Sequence, residues 1–279
     1  MSLWLSKSAF YRYSLKLIKN MRELSTLSNS DLTRFTDGFR IPIYRIMHYN
    51  STRSGLQLDW NTIGLSSRSS DDLISQFTHY EEAIPCLSNL DFSGASVLVL
   101  GSSVPWLECF LATRDAREIL TVEYRAIRWH PDFPRTEWSS LTFDEFMNSA
   151  PYPRFDRLIS YSSVEHSGLG RYGDAIDPEG DLISLLTASR WLTPDARVYL
   201  ALPVGPDAVL FNRHRVYGNK RLKLIARVLQ TPNVRVVPPV PGALADVPAE
   251  CWSIDYAVRQ PAPADRPVYD RQLLLEFIR

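Results

Sequence analysis

The chain has 279 residues, 45% of them apolar, and its 31 Lys and Arg balance 31 Asp and Glu to a formal net charge of zero. That excludes global disorder and a globally basic nucleic-acid binder, and predicts one large domain or a domain with an appendage. Twelve glycines are too few for repeated phosphate loops. Cys86, Cys109 and Cys251 are too sparse for a disulfide framework or paired-cysteine zinc, and no apolar window of 18 residues predicts a membrane span.

Residues 1–22 hold five basic residues (Lys7, Arg12, Lys16, Lys19, Arg22) and no acid. Leu3, Phe10, Tyr13, Leu17, Met21 and Leu24 share the opposite side of a helical wheel, which predicts a basic amphipathic helix. Three roles remain open for it: packing on the main domain, a mitochondrial-type presequence, or a membrane-surface or partner helix. The reduced-thiol composition points to the cytoplasm, and the basic N-terminus adds mitochondrial import as the alternative. Residues 29–75 predict short helices or turns with an extended piece near 41–47. A helix is expected over 71–84, capped by the serines at 69–70 and ended by Pro85. Residues 1–90 are thus expected to form an N-terminal helical extension or cap, and 91–279 an α/β domain.

From residue 95 the pattern changes. Ser96–Leu100 is a continuous apolar run, as in a strand buried on both faces of a parallel sheet. A helix over 105–114, strands at 119–122, 155–160 and 197–202, helices at 182–192 and 219–230, and strands at 234–237 and 273–278 follow. This order predicts a doubly wound α/β sheet. Ligands of such sheets bind beyond the carboxyl ends of the strands. That rule gathers Gly101–Trp106, Glu123 and Tyr124, residues 160–173 and residues 203–207 around one crevice. Only the first glycine of G-x-G-x-x-G stands after the first strand, which disfavours a dinucleotide. Glu123, ending the second strand, suits a pair of ribose hydroxyls.

The order VLVLGSSVPWLE, ILTVEY, FDRLISYSSVEHSG and LTPDARVYLALPVG resembles class I S-adenosylmethionine-dependent methyltransferases over about residues 90–279. The resemblance implies a Rossmann-like methyltransferase fold, mostly parallel with an antiparallel last strand, and S-adenosylmethionine as cofactor. It places Gly101, Ser102, Ser103, Pro105 and Trp106 at the methionine moiety and Glu123 at the ribose. Tyr124, Ser162 and Ser163 complete the expected cofactor residues. The family's GxG is replaced by GSSVPW. VEHSGLGRYGDAIDPEGD (164–181) and LPVGPDAVLFNRHRVYG (202–218) more specifically resemble the domain-of-unknown-function family 268, a methyltransferase-like family without an assigned reaction.

Six of the twelve glycines fall between 168 and 218. Residues 161–181 carry five acids and one base, while 207–227 carry six Lys or Arg and one acid, so the two segments are expected to pair. Glu165 and His166 are candidate general bases, with His214, Arg171 and Asp174 beside them as candidate catalytic residues. Asn212–Arg215 and Tyr217 are candidates for holding a carboxylate or phosphate. Ser162–His166 resembles the E-x-x-E-H motif of magnesium-dependent O-methyltransferases, with Ser162 in place of the first acid. A divalent metal is therefore a second cofactor expectation, with Asp174 or His214 to complete its ligands and the full set undetermined. Three functions stay open: methyl transfer to a small polar molecule, a binding or scaffold protein that has lost that reaction, and a metal-assisted enzyme of other chemistry. A small-molecule partner is expected rather than nucleic acid, because no extended basic aromatic surface is evident. The sequence does not set the oligomeric state.

Overall fold

The computed structural model describes residues 27–38, 40–45, 58–59, 83–128, 137–172, 174–244 and 246–278. The basic helix expected at 1–22, nearly all of the helix expected at 71–84, and Gly173 lie outside the described residues. In chain order the elements are α1 (Asn29–Phe35), β1 (Ile43–Arg45), β2 (Leu58–Asp59), α2 (Ala83–Leu87), β3 (Ser96–Leu100), α3 (Trp106–Thr113), β4 (Glu118–Glu123) and β5 (Ile127–Arg128). Then follow β6 (Glu137–Thr142), α4 (Phe143–Asn148), β7 (Phe155–Tyr161), α5 (Gly180–Ser189), β8 (Leu192–Val204), β9 (Ala208–Phe211) and β10 (His214–Val216). The last are α6 (Asn219–Val228), β11 (Asn233–Val236), α7 (Ile254–Ala257) and β12 (Arg271–Ile278).

The main sheet has seven strands in the order β11-β12-β8-β7-β3-β4-β6. β12 runs antiparallel to both neighbours, and the other strand pairs are parallel. This is the Rossmann-like methyltransferase sheet expected from the sequence. All five side chains of β3 are buried, as its unbroken apolar run requires for a central strand covered on both faces. One layer of the core gathers Leu98, Leu100, Leu158, Leu185, Leu200 and Leu275; the other gathers Val97, Val99, Leu107, Leu111, Ile159 and Tyr199. Alternate residues of each strand thus serve opposite layers.

After β3 the chain builds β4 and β6 on one side, then crosses to β7 on the other. The strand order therefore reverses between β3 and β7, where a ligand crevice opens at the strands' carboxyl ends. A three-stranded sheet, β1-β9-β10, stands beside this edge. Its apolar side joins Leu27 and Phe35 from the N-terminal segment to Leu169, Val209 and Phe211.

Several expected boundaries move. Pro85 lies inside α2 rather than ending a helix, and its carbonyl accepts the Val240 N–H. α5 stops at Ser189, not 192, because Leu192 already pairs with Phe155 in the sheet. Residues 214–216 form one strand of a buried hairpin. Only Asn212, in the left-handed region at φ +62°, and Arg213 form the turn itself.

Candidate functional site

Gly101 follows β3 at φ +75°, a conformation that glycine adopts without strain. Its N–H donates to the Val122 carbonyl, which ties the first loop to β4. Glu123 ends β4 and is buried there. Its Oε2 accepts the Ser102 N–H at 2.9 Å and its Oε1 accepts the Tyr124 N–H at 2.9 Å. Burial raises its proton affinity, opposed by those two N–H groups and by Arg125. A carboxylate has about four lone-pair sites, so each oxygen retains capacity for one hydroxyl. Pro105 caps α3, and Trp106 is buried with its ring 5.0 Å from that of Tyr161, edge to face. Ser103 sits in the same loop between them.

Across the crevice, β7 ends at Ser162 in the left-handed region, φ +52°, followed by a short 3-10 turn, Val164–His166. Ser163 Oγ packs over Gly101, 1.7 Å from where a β-carbon on that glycine would stand. Gly101, Glu123, Tyr124, Phe143, Ser163 and Ser167 surround a hollow of about 20 Å³, room for about one water. Tyr124 and Phe143, with ring centroids 4.9 Å apart, separate it from a cleft of about 420 Å³. Arg125, Asp144, Tyr172 and Asp174 are among the groups lining that cleft.

Glu165 is buried. Its Oε1 accepts the Ser162 hydroxyl at 2.8 Å, while Oε2 has no hydrogen-bond partner among the described residues. Burial pushes its carboxyl up to about 7, against the opposing pull of its own backbone N–H, Ser162 and the Arg171 and Arg215 cations. The His166 Nδ1 faces the Arg213 carbonyl, which fixes the N–H on Nδ1 and leaves Nε2 as the lone-pair nitrogen, 3.6 Å from Glu165 Oε1. Burial, then the nearby Arg171, holds the ring's proton affinity well below the ordinary histidine range. The His166 and His214 rings lie 6.3 Å apart, and His214 Nε2 is 2.9 Å from Asp270 Oδ2. Glu165, His166, His214 and Arg171 are thus brought together.

Asp174 stands at the edge of this group. Its carboxylate accepts the N–H groups of Gly168, Gly170 and Tyr172, which winds the glycine loop around it. The expected pairing of acidic and basic segments is present. Buried Asp181 receives the Tyr217 hydroxyl at 3.0 Å and the guanidinium of Arg221, with Arg215 Nε at 3.6 Å. Arg215, also buried, donates to the carbonyls of Ser167, Asp177 and Pro178. This guanidinium fastens the glycine loop rather than facing a ligand. Among the described residues no three His, Cys, Asp or Glu side chains gather as a metal would need, and no helix is long and apolar enough to cross a membrane.

Four site residues escaped the sequence reading. Asp270 is 56 positions from its partner His214 and left no local signal. Phe143 and Asp144 begin α4, whose capping box Thr142–Glu145 was legible as T-x-x-E. Glu108 is an acid flanked by apolar residues on a core helix, a pattern that marks a buried carboxyl.

Residues 94–230 match the family model described as "Caenorhabditis protein of unknown function, DUF268". The matched segment spans the first loop, Glu123, the Glu165–His166 turn and the whole glycine-rich loop, so the candidate site is built almost wholly from it. No protein of curated function matches the chain by sequence. Among solved structures it is similar to a 1,6-didemethyltoxoflavin-N1-methyltransferase from Burkholderia thailandensis, at 13% identity, covering 75% of this chain and 86% of that one, TM-score 0.42. It is also similar to an S-adenosylmethionine-dependent methyltransferase from Mesorhizobium loti, at 11% identity, 71% and 98% coverage, TM-score 0.43. The strand order and the antiparallel β12 assign the fold of the matched segment and its flanks independently of these likenesses.

Proposed function

We propose that the protein is an S-adenosylmethionine-dependent methyltransferase acting on a small polar molecule. The observation that carries the reading is Glu123. A buried carboxylate closes β4 beside the reversal of strand order, its two oxygens oriented by backbone N–H groups and each with a lone pair to spare. That donor set fits a ribose diol. The hydroxyls of Ser163, Ser167 and Ser184 border the same hollow, and Tyr124 and Phe143 offer ring faces toward an adenine. Because the hollow is small, binding requires the Tyr124–Phe143 pair to part and the Ser163 side chain to turn off Gly101.

S-adenosylmethionine, when bound, supplies an electrophilic methyl group. The chain's part is to align the acceptor and to take its proton. His166 is neutral at pH 7 and has its lone pair on Nε2, which the Arg171 guanidinium covers at 3.3 Å, so it accepts the acceptor's O–H or N–H proton there once Arg171 turns aside. Glu165 Oε1, 3.6 Å away, stabilises the imidazolium that results.

S-adenosylhomocysteine at 100 times its Kd should raise stability by about 2.7 kcal/mol, seen as a saturable rise in Tm. Glu123→Ala should abolish the rise, and His166→Asn should keep it while losing turnover. Folded wild-type protein that shows no shift with either S-adenosylhomocysteine or S-adenosylmethionine would overturn the reading. The second reading, a binding protein that has lost methyl transfer, is favoured by one contact, the Ser163 side chain seated where the methionine tail would pass. Saturable binding without methyl transfer to any polar acceptor would select it.

A further inference from the structure

Beneath the loop Gly101–Pro105 lies a fully buried acid, Glu108 of α3. Its Oε1 is 2.9 Å from the Thr121 hydroxyl and its Oε2 is 2.8 Å from Ser102 Oγ. Ser102 Oγ is also 2.9 Å from the Val104 carbonyl, and the Ser102 N–H donates to Glu123 Oε2. Trp138 Nε1 donates to Thr121 Oγ1 at 3.2 Å. One serine therefore bridges two buried carboxyl groups, through its hydroxyl to Glu108 and through its N–H to Glu123.

The protons can be counted. A hydroxyl carries one. The Thr121 hydroxyl receives from Trp138 and gives its own proton to Glu108 Oε1. The Ser102 hydroxyl has two short contacts and one proton, and the Val104 carbonyl can only accept. Every contact is satisfied in one arrangement: Glu108 is a carboxylic acid whose O–H donates to Ser102 Oγ, and Ser102 donates to Val104. An ionised Glu108 would leave one of those two contacts as two acceptors facing each other. Among the described residues Glu108 forms no ion pair. The titratable groups near it are Glu123 on β4 and Cys109 on its own helix, and Arg125 bears on Glu123 rather than on Glu108.

We propose that Glu108 is a positioning residue, kept as the neutral acid, which fixes the loop Ser102–Val104 from beneath and leaves Glu123 as the ionised member of the two carboxyl groups that Ser102 bridges, free for hydroxyl recognition. The proposal rests on the reading of Glu123 as a ribose ligand. Burial, opposed by Ser102, a backbone N–H and Thr121 and reinforced by Glu123, pushes the Glu108 carboxyl up to about 7. Above that pH a second negative charge appears across Ser102, the serine proton turns away from Val104, and Glu123 loses its fixed partner.

The test uses the full chain and three proteins: wild type, Glu108→Gln and Glu108→Ala. The glutamine amide reproduces the neutral acid, donating to Ser102 and accepting from Thr121. Wild-type affinity for S-adenosylhomocysteine, by calorimetry, should fall about tenfold between about pH 6 and about pH 8, equivalent to one unit of coupled shift. Glu108→Gln should hold the pH 6 affinity at both, and Glu108→Ala should bind weakly at both. A ligand-free readout keeps the result interpretable if Glu108→Ala fails to fold. The raised carboxyl stabilises the wild type below its unfolded value of 4.5 and loses that contribution as pH rises through about 7. The Tm of Glu108→Gln minus that of wild type should therefore grow over this window. A flat difference, with S-adenosylhomocysteine binding intact, would overturn the proposal alone. A growing difference with no binding at any pH would instead overturn the ribose role of Glu123, and the positioning role with it.

Discussion

Ser163 fills the space above Gly101: a β-carbon on the glycine would lie 1.7 Å from Ser163 Oγ and 2.5 Å from Ser163 Cβ. The two loops that flank the strand-order reversal are thus in direct contact. Gly101→Ala combines this clash with the left-handed backbone, which costs an ordinary residue about 1–2 kcal/mol. The variant should lose at least about 2 kcal/mol in urea unfolding. Adding Ser163→Gly removes the clash but not the strained φ, so the double variant should be more stable than Gly101→Ala alone. Strict additivity of the two changes in a double-mutant cycle would show that the contact is not made.

Asp181 is the anionic centre that fastens α5, β10 and α6. Burial alone would raise its carboxyl, but Arg215 and Arg221 outweigh that and hold it below the usual range. Removing one member of such a buried cluster leaves uncompensated charge and costs about 3–5 kcal/mol. Asp181→Ala should lower the urea midpoint accordingly. Because Arg215 also holds the carbonyls of Ser167 and Asp177, the variant should admit proteases to the glycine-rich loop before the sheet unfolds. Loop cleavage no faster than in wild type would contradict this.

The central sheet was legible because β3, β4, β7 and β8 are nearly continuous apolar runs, which buried parallel strands require. The strand ends carried the site for the same reason, since the sheet fixes where each run stops. β6 reads EWSSLT, with Trp138 and Leu141 its apolar residues, lies at the edge of the sheet and gives no such run. β9 and β10 are short, and β10 holds the polar residues His214 and Arg215, which break any apolar run. Their burial comes from Asp181 and Asp270, partners tens of residues away that no window of sequence contains. The charge segregation between 161–181 and 207–227 was visible, but its use as an internal clamp follows only from the sheet that juxtaposes them.

Phe35 ties the N-terminal segment to the site's outer wall. Its buried ring lies 5.7 Å from that of Phe211, edge to face, and beneath the guanidinium of Arg215 at 5.8 Å. Arg34, one residue earlier, pairs with Glu179 and reaches Asp177. Phe35→Ala should cost about 3 kcal/mol, in the range for a buried aromatic, and the loss should appear in the single main unfolding transition. If that transition is unmoved and a separate, earlier one appears instead, residues 27–45 fold as an appendage.

His166 makes a pH prediction with a definite sign. Its ring is held well below the ordinary histidine value of 6.5 by burial first and by Arg171 next, with His214 and Arg215 adding to the effect and the Arg213 carbonyl opposing it. The folded protein therefore binds fewer protons at this site than the unfolded chain. The stabilisation is fully present above 6.5 and is lost as pH falls below it toward the folded value. His166→Asn keeps a donor to the Arg213 carbonyl, since the amide nitrogen stands near the position of Nδ1, but does not titrate. Wild-type Tm should fall more steeply than that of His166→Asn between pH 6.5 and about pH 5, at about 1.4 kcal/mol per pH unit at most for one group. Parallel curves would mean that His166 takes up its proton as readily in the folded protein as in the unfolded chain, and that burial and Arg171 do not hold it neutral.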